Sequence, residues 1–203
     1  MIRAALLEEL ATRSAGARRI AVDGPDAAGK TTLADELADV LTQRGEEVAR
    51  VTIDDFLLPA DVRYRLGWES PEGYYRDSFD HRRFSRAVLA AAGIVVADGV
   101  FLQRPELAGL WDFVVFVDAS EEETLRRAAA RDASRFGDGV VERYRRRYLP
   151  AQRAYRGAAQ PVVNADVVVD NTDPRIRSCL SADRAASAEG PWLPRFYSAR
   201  EST

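Results

Sequence analysis

The sequence predicts an α/β fold of three layers, with a five-stranded parallel sheet between two layers of helices. Three observations carry this expectation. Five short, nearly continuous apolar runs, "RRIAVDG", "EVARVTID", "GIVVADG", "DFVVFVD" and "ADVVVDN", have the length of strands. Helical patterns separate most of them. Strands that are apolar throughout, instead of alternating, are buried on both faces, as parallel strands joined through helices are.

The elements follow in order. Ile2, Leu6, Leu7 and Leu10 recur at helical spacing and predict a short amphipathic opening helix. The first apolar run then ends in glycine, and Leu33, Leu37, Val40 and Leu41 define the face of a second helix that Gly45 stops. "EVARVTID" is the second strand and "GIVVADG" the third, followed by the fourth and fifth. Ser120 with Glu123 reads as a capping box that starts a helix running through Arg135. Another helix is expected over Val140 to Arg156. Residues 1–174 form one domain in this reading. The remaining segment, 175–203, mixes serine, alanine and arginine without periodicity and is expected to be a poorly ordered tail.

Composition narrows the function. A net charge of −3 over 203 residues gives no global basic field for a nucleic-acid backbone. One cysteine, Cys179, excludes an internal disulfide and any cysteine-rich metal site, which suits a cytoplasmic protein. Glu8 and Glu9 interrupt the N-terminus where a signal peptide would be apolar. No run approaches the roughly 20 apolar residues of a membrane span. The expected partner is therefore a small molecule, with self-association left open.

The motif that carries chemistry lies between the first strand and the second helix. Gly24, Pro25, Asp26, Ala27, Ala28, Gly29, Lys30 and Thr31 spell G-x-x-x-x-G-K-T, with Thr32 following. Its glycines let the backbone curl so that N–H groups meet phosphate oxygens, and the following helix adds its positive end. Lys30 is the single lysine among 29 basic residues. A compact ammonium on a flexible stem fits inside such a loop where a planar guanidinium does not. The motif predicts a P-loop NTPase-type fold with Mg²⁺ on the Thr31 hydroxyl, and by itself it does not separate kinases from GTPases or motor ATPases.

In a sheet of this type the ligand crevice lies at the C-terminal strand ends. Asp54 and Asp98 both stand there. Asp54 is the candidate base for an acceptor hydroxyl, and Asp98 a candidate Mg²⁺ ligand, directly or through water. Asp55 is the neighbour that strand alternation would point away. Arg127, Arg131 and Arg135 share a helical face, and Arg127 and Arg131 are candidate lid arginines for charge developing on the transferred group. Between residues 56 and 84 lie seven of the eighteen aromatic residues. Within that insertion Phe56, Tyr74, Tyr75, Asp77 and Phe79 are candidates for contact with an acceptor, while Asp77 and Asp80 also suit helix capping. His81 is expected in the first turn of the next helix without a catalytic role.

Taken together, these residues resemble the uridine kinase family, within the group that holds phosphoribulokinase and bacterial pantothenate kinase. "DGPDAAGKTTLADELA" is similar to its phosphate loop, "IDDFLL" to the segment whose catalytic aspartate matches Asp54, and "YYRDSFDHRRF" to its D-x-F-D substrate segment. "VVADGVFL" parallels an acid–glycine motif with Asp98 where glutamate is common, and "FVDASEEETLRRAAARD" aligns Arg127 and Arg131 with lid arginines. The resemblance covers about Arg19 to Pro174. It departs at Leu57, often tyrosine in the family, in the run "ASRFGDG" and in the insertion "VRYRLGWESPEGYY". It implies a Mg²⁺- and ATP-dependent kinase acting on a hydroxyl, with uridine or cytidine favoured. Nicotinamide riboside, pantothenate and a sugar phosphate compete, the last through Arg63, Arg65 or Arg76. A nucleotide switch or a binder without chemistry are the other classes, and no N-K-x-D guanine-reading motif supports the switch.

Overall fold

The structure, a computed structural model, describes residues 3–173 and 178–180. In chain order it runs α1 (Arg3–Arg13), β1 (Arg19–Asp23), α2 (Lys30–Gln43), β2 (Val48–Thr52), a 3₁₀ turn (Ile53–Phe56), α3 (Ala60–Arg63), α4 (Pro71–Asp77) and α5 (His81–Ala90). It continues through β3 (Ile94–Gly99), α6 (Pro105–Ala108), β4 (Phe113–Asp118), α7 (Glu121–Phe136), α8 (Val140–Arg143), α9 (Leu149–Ala159), α10 (Pro161–Asn164), β5 (Val167–Asp170) and β6 (Ser178–Leu180).

The sheet order is β2-β3-β1-β4-β5-β6. The first five strands are mutually parallel, as expected, and β6 pairs antiparallel with β5 through Val169 and Cys179. That short sixth strand falls within the segment read as tail. The rest of 175–203, Ile2 of the expected opening helix and the Arg135 side chain lie outside the described residues.

Period-two alternation sorts the strand residues into two cores. Ile20, Val22, Val96, Val115, Val117 and Val169 face one way, onto Leu6 and Leu10 of α1 and Leu33, Leu37 and Leu41 of α2. Ala21, Val95, Ala97, Val114 and Phe116 face the other way, onto Ile53, Phe79, Phe84, Phe101 and Tyr155. Both faces are covered, which is why the strands read as unbroken apolar runs. β2 is half-buried throughout because it is an edge.

Two boundaries differ from expectation. β2 stops at Thr52, and Ile53–Phe56 forms a 3₁₀ turn, so Asp54 and Asp55 diverge by turn geometry instead of strand alternation. The helix expected over Val140 to Arg156 is interrupted by a wider π-type turn at Tyr144–Tyr148. Pro150 lies two residues beyond it, in the first turn of α9, and has no N–H to donate backwards, so the regular ladder is broken there.

Candidate active site

β1 delivers the chain to the phosphate loop at the centre of the sheet. Gly24 has φ +150°, and a Cβ there would lie 2.2 Å from the Val117 carbonyl oxygen, so the loop passes β4 at a distance only glycine permits. Ala27 and Gly29 also take positive φ, the backbone form in which successive N–H groups converge on an anion. The Lys30 ammonium is buried over the loop and donates to the Pro25 carbonyl at 2.6 Å.

The loop is braced from behind by residues the sequence did not single out. Asn171, just beyond β5, donates to the Ala28 carbonyl at 2.6 Å. Beneath the loop the fully buried Asp23 carboxylate accepts from Tyr155 Oη, from Gln103 Nε2 at 3.1 Å, and from the Gly24 and Leu102 N–H groups at 2.8 and 3.3 Å. Burial raises its pKa above the usual carboxylate range, and the four hydrogen bonds oppose the rise. An aspartate closing an apolar strand beside a glycine was visible in the sequence. Its partners, 79 to 132 residues away, were not.

In front of the loop opens a cleft of about 410 Å³. Lys30, Thr31, Asp54, Asp98, Arg127 and Arg131 all line it, so the residues expected to carry chemistry meet there. Thr31 Oγ1 donates to Asp98 Oδ2 at 2.6 Å. The other Asp98 oxygen pairs with Arg50 Nη2 at 2.8 Å, a partner on the edge strand that sequence reading missed. A hydroxyl and a carboxylate are hard oxygen donors of the kind Mg²⁺ takes. Among the described residues no cluster of three or more His, Cys, Asp or Glu side chains could hold a metal. The adjacent Thr31 hydroxyl and Asp98 carboxylate are donors of the kind that hold Mg²⁺ where the ion keeps water and phosphate oxygens as its other ligands.

Asp54 stands at the mouth of the cleft, one turn beyond β2. Partial desolvation raises its carboxyl pKa; Lys30 opposes this, while the Asp26 and Asp98 carboxylates add to it. A base with a raised pKa holds a proton better once it has taken one. Asp55 does not line the cleft.

The acceptor-side candidates lie outside the lining of the cleft in this structure. Phe56, Tyr74, Tyr75, Asp77 and Phe79 do not line this cleft. Tyr74 and Phe79 are buried, and Tyr74 packs edge-on against Phe101 and Tyr148 at 5.3 and 4.6 Å. Phe56 packs against Phe84 at 5.4 Å, and Tyr75 against Phe101 at 5.1 Å. Asp77 is buried in a two-bonded pair with Arg65. These rings serve as the core of the insertion: aromatic area within a short segment is removed from water before it is offered to a ligand. His81 opens α5 behind the Asp80 cap, 3.0 Å from Arg104 Nη1, and burial lowers its pKa to about 4.

The lid helix α7 is capped by Ser120, whose hydroxyl accepts from Glu123 N–H at 3.2 Å. The reciprocal half of the expected box is absent. The Glu123 carboxylate instead grips Arg126 and Arg127 at 2.6 Å each, which pulls its pKa to about 2, Arg126 contributing most. The Ser120 N–H donates to Thr172 Oγ1. Arg127 donates to the Asn171 carbonyl at 2.6 Å and approaches the Ala27 and Ala28 carbonyls at 3.4 Å. Arg131 is more exposed, 59 % at the side chain, and bonds to Asp132 and to Tyr144 Oη.

No protein-family model matches the chain, and no curated protein matches its sequence. Solved structures do match its fold. One is a possible uridine kinase from Bacillus stearothermophilus, with 24 % identity, TM-score 0.65, and 83 % of this chain against 99 % of that one. Another is a fructose transport system kinase from Silicibacter sp. TM1040, with 23 % identity, TM-score 0.63, and 78 % of this chain against 96 % of that one. At these identities the likeness establishes architecture: the chain has the three-layer α/β fold that these two structures share, with a phosphate loop at the C-terminal end of its parallel strands.

Proposed function

We propose that the chain is a P-loop kinase that transfers the γ-phosphoryl of ATP to a hydroxyl of a small metabolite, a pyrimidine nucleoside being the favoured acceptor. The observation that carries this reading is the position of Asp54, which lines one cleft with Lys30 and with the Thr31–Asp98 pair. A phosphate cradle, a divalent-cation pair and a base facing one space are the parts phosphoryl transfer to an alcohol needs. The two structural neighbours are both kinases by their printed names, which supports the same reaction class.

Each residue then has a task. The loop backbone and Lys30 hold and neutralise the outer phosphates. Thr31 and Asp98 would hold Mg²⁺, which would supply neutralising charge for the phosphates. Asp54 orients the acceptor hydroxyl and takes its proton as the oxygen attacks. Arg131, the more exposed lid arginine, turns toward charge developing on the transferred group, while Arg127 clamps the loop to the lid helix. Of the three arginines that could serve a sugar phosphate, Arg65 pairs with Asp77 and Arg76 with Glu72, both with exposed side chains. Among the described residues no helix is long and apolar enough to cross a membrane. We place the reaction in the cytoplasm on the strength of the single cysteine.

The test is ATP consumption with Mg²⁺ and a panel of uridine, cytidine, nicotinamide riboside, pantothenate and ribulose 5-phosphate. Asp54→Asn is expected to lower acceptor-dependent turnover by at least about 100-fold while nucleotide still binds. Turnover without any acceptor, unaffected by Asp54→Asn, would replace the kinase by a nucleotide switch.

A further inference from the structure

One carboxylate in the cleft has no part in the reaction above. Asp26 belongs to the phosphate loop and lines the same cleft as Asp54. It is held from the rear by two buried side chains: Tyr74 Oη donates to both carboxylate oxygens, at 3.1 and 2.9 Å, and Gln152 Nε2 donates to Oδ2 at 2.5 Å. Tyr74 comes from α4 in the insertion and Gln152 from α9, so three parts of the chain fix one side chain.

The chemistry limits what Asp26 can face. A carboxylate has about four lone-pair sites, and two donors leave capacity on Oδ1. A phosphate group would be repelled by it, whereas the loop N–H groups and Lys30 already serve phosphate. What a fixed carboxylate takes is an O–H donor. Asp26 and Asp54 line the same cleft, and the Asp26 charge bears on the Asp54 carboxyl, so both carboxylates face the space where an acceptor would meet the base.

We propose that the Asp26 carboxylate reads a second hydroxyl of the acceptor, distinct from the one phosphorylated, and so selects polyhydroxyl acceptors with no anionic group at that position. The inference rests on the kinase reading. It explains why Tyr74 matters to the site while remaining core: the ring packs, and its hydroxyl aims the carboxylate.

The experiment compares wild type with Asp26→Asn and Asp26→Ser. The acceptors are uridine, cytidine, D-ribose and D-fructose, each beside its singly deoxygenated analogues. Binding of a fluorescent ATP analogue is measured in parallel. For the wild type, removal of the hydroxyl that Asp26 reads is expected to cost about 10- to 100-fold in kcat/KM, the range of one hydrogen bond to a charged group. Both variants are expected to lose a similar factor on the full acceptor and to lose the discrimination against that analogue, with the ATP analogue bound no more weakly. Discrimination that survives in both variants would overturn the proposal, as would a loss of ATP-analogue affinity equal to the loss of turnover. Binding of the ATP analogue with no turnover by the wild type of these acceptors or of nicotinamide riboside, pantothenate and ribulose 5-phosphate would overturn the kinase reading itself, and the proposal with it.

Discussion

Tyr155→Phe offers the sharpest test of how the phosphate loop is supported. The ring should stay where it is, packed against Phe101 at 5.1 Å in a site where Tyr155 is 3 % exposed. Only the hydroxyl is lost, and it has two partners: it donates to the buried Asp23 carboxylate and accepts from the Gln103 N–H at 3.0 Å. A hydrogen bond to a charged group contributes about 1.5–3 kcal/mol, and a buried N–H left without a partner costs about 1–3 kcal/mol. Relaxation offsets part of that sum, leaving about 3 kcal/mol of destabilisation. For a chain of this size each kcal/mol moves Tm by about 2–4 °C, so a fall of about 6–12 °C is expected by calorimetry or circular dichroism. The sign of the pH dependence follows from Asp23. Its folded pKa is raised by burial, so the native state binds more protons than the unfolded state between the ordinary and the raised value. Stability therefore falls as pH rises through that window, and it falls further when a donor to the charged form is removed. The variant's deficit should be largest on the alkaline side and shrink in acid, where Asp23 is protonated. A fall under about 2 °C at neutral pH, or a deficit that grows in acid, would refute the claim that Tyr155 holds an ionised carboxylate under the loop.

Two further outcomes follow from the same geometry. Gly24→Ala should cost several degrees of Tm or abolish folding, since the new Cβ would meet the Val117 carbonyl at 2.2 Å in a positive-φ position; a soluble variant with unchanged Tm and ATP affinity would contradict the close approach. His81, held neutral with its pKa lowered to about 4, binds fewer protons folded than unfolded between that value and its ordinary 6.5, so stability should fall as pH drops across the window. His81→Gln should flatten that part of a Tm–pH profile, and a profile of unchanged slope would show that His81 is not the group responsible.

The layer order, the phosphate loop and the acids at the strand ends were legible from residue order, because each rests on local rules. Unbroken apolar runs report burial on two faces, G-x-x-x-x-G-K-T encodes a backbone curl, and strand-end position places Asp54 and Asp98 on one side of the sheet. The packing of the aromatic insertion was not legible, for the opposite reason. Whether a ring such as Tyr74 faces ligand or core depends on what packs against it, and Phe101 and Tyr148 come from distant segments. The partners of Asp23, Asp26 and Asp98 were hidden likewise: Tyr155, Gln152 and Arg50 are ordinary residues until folding brings them within hydrogen-bond reach. Architecture and the glycine-rich loop are written in spacing and residue type, and could be read from residue order. Which carboxylates face the cleft, which arginines are paired and what holds the loop in place depend on contacts between residues up to 132 positions apart, and those exist only once the chain has folded.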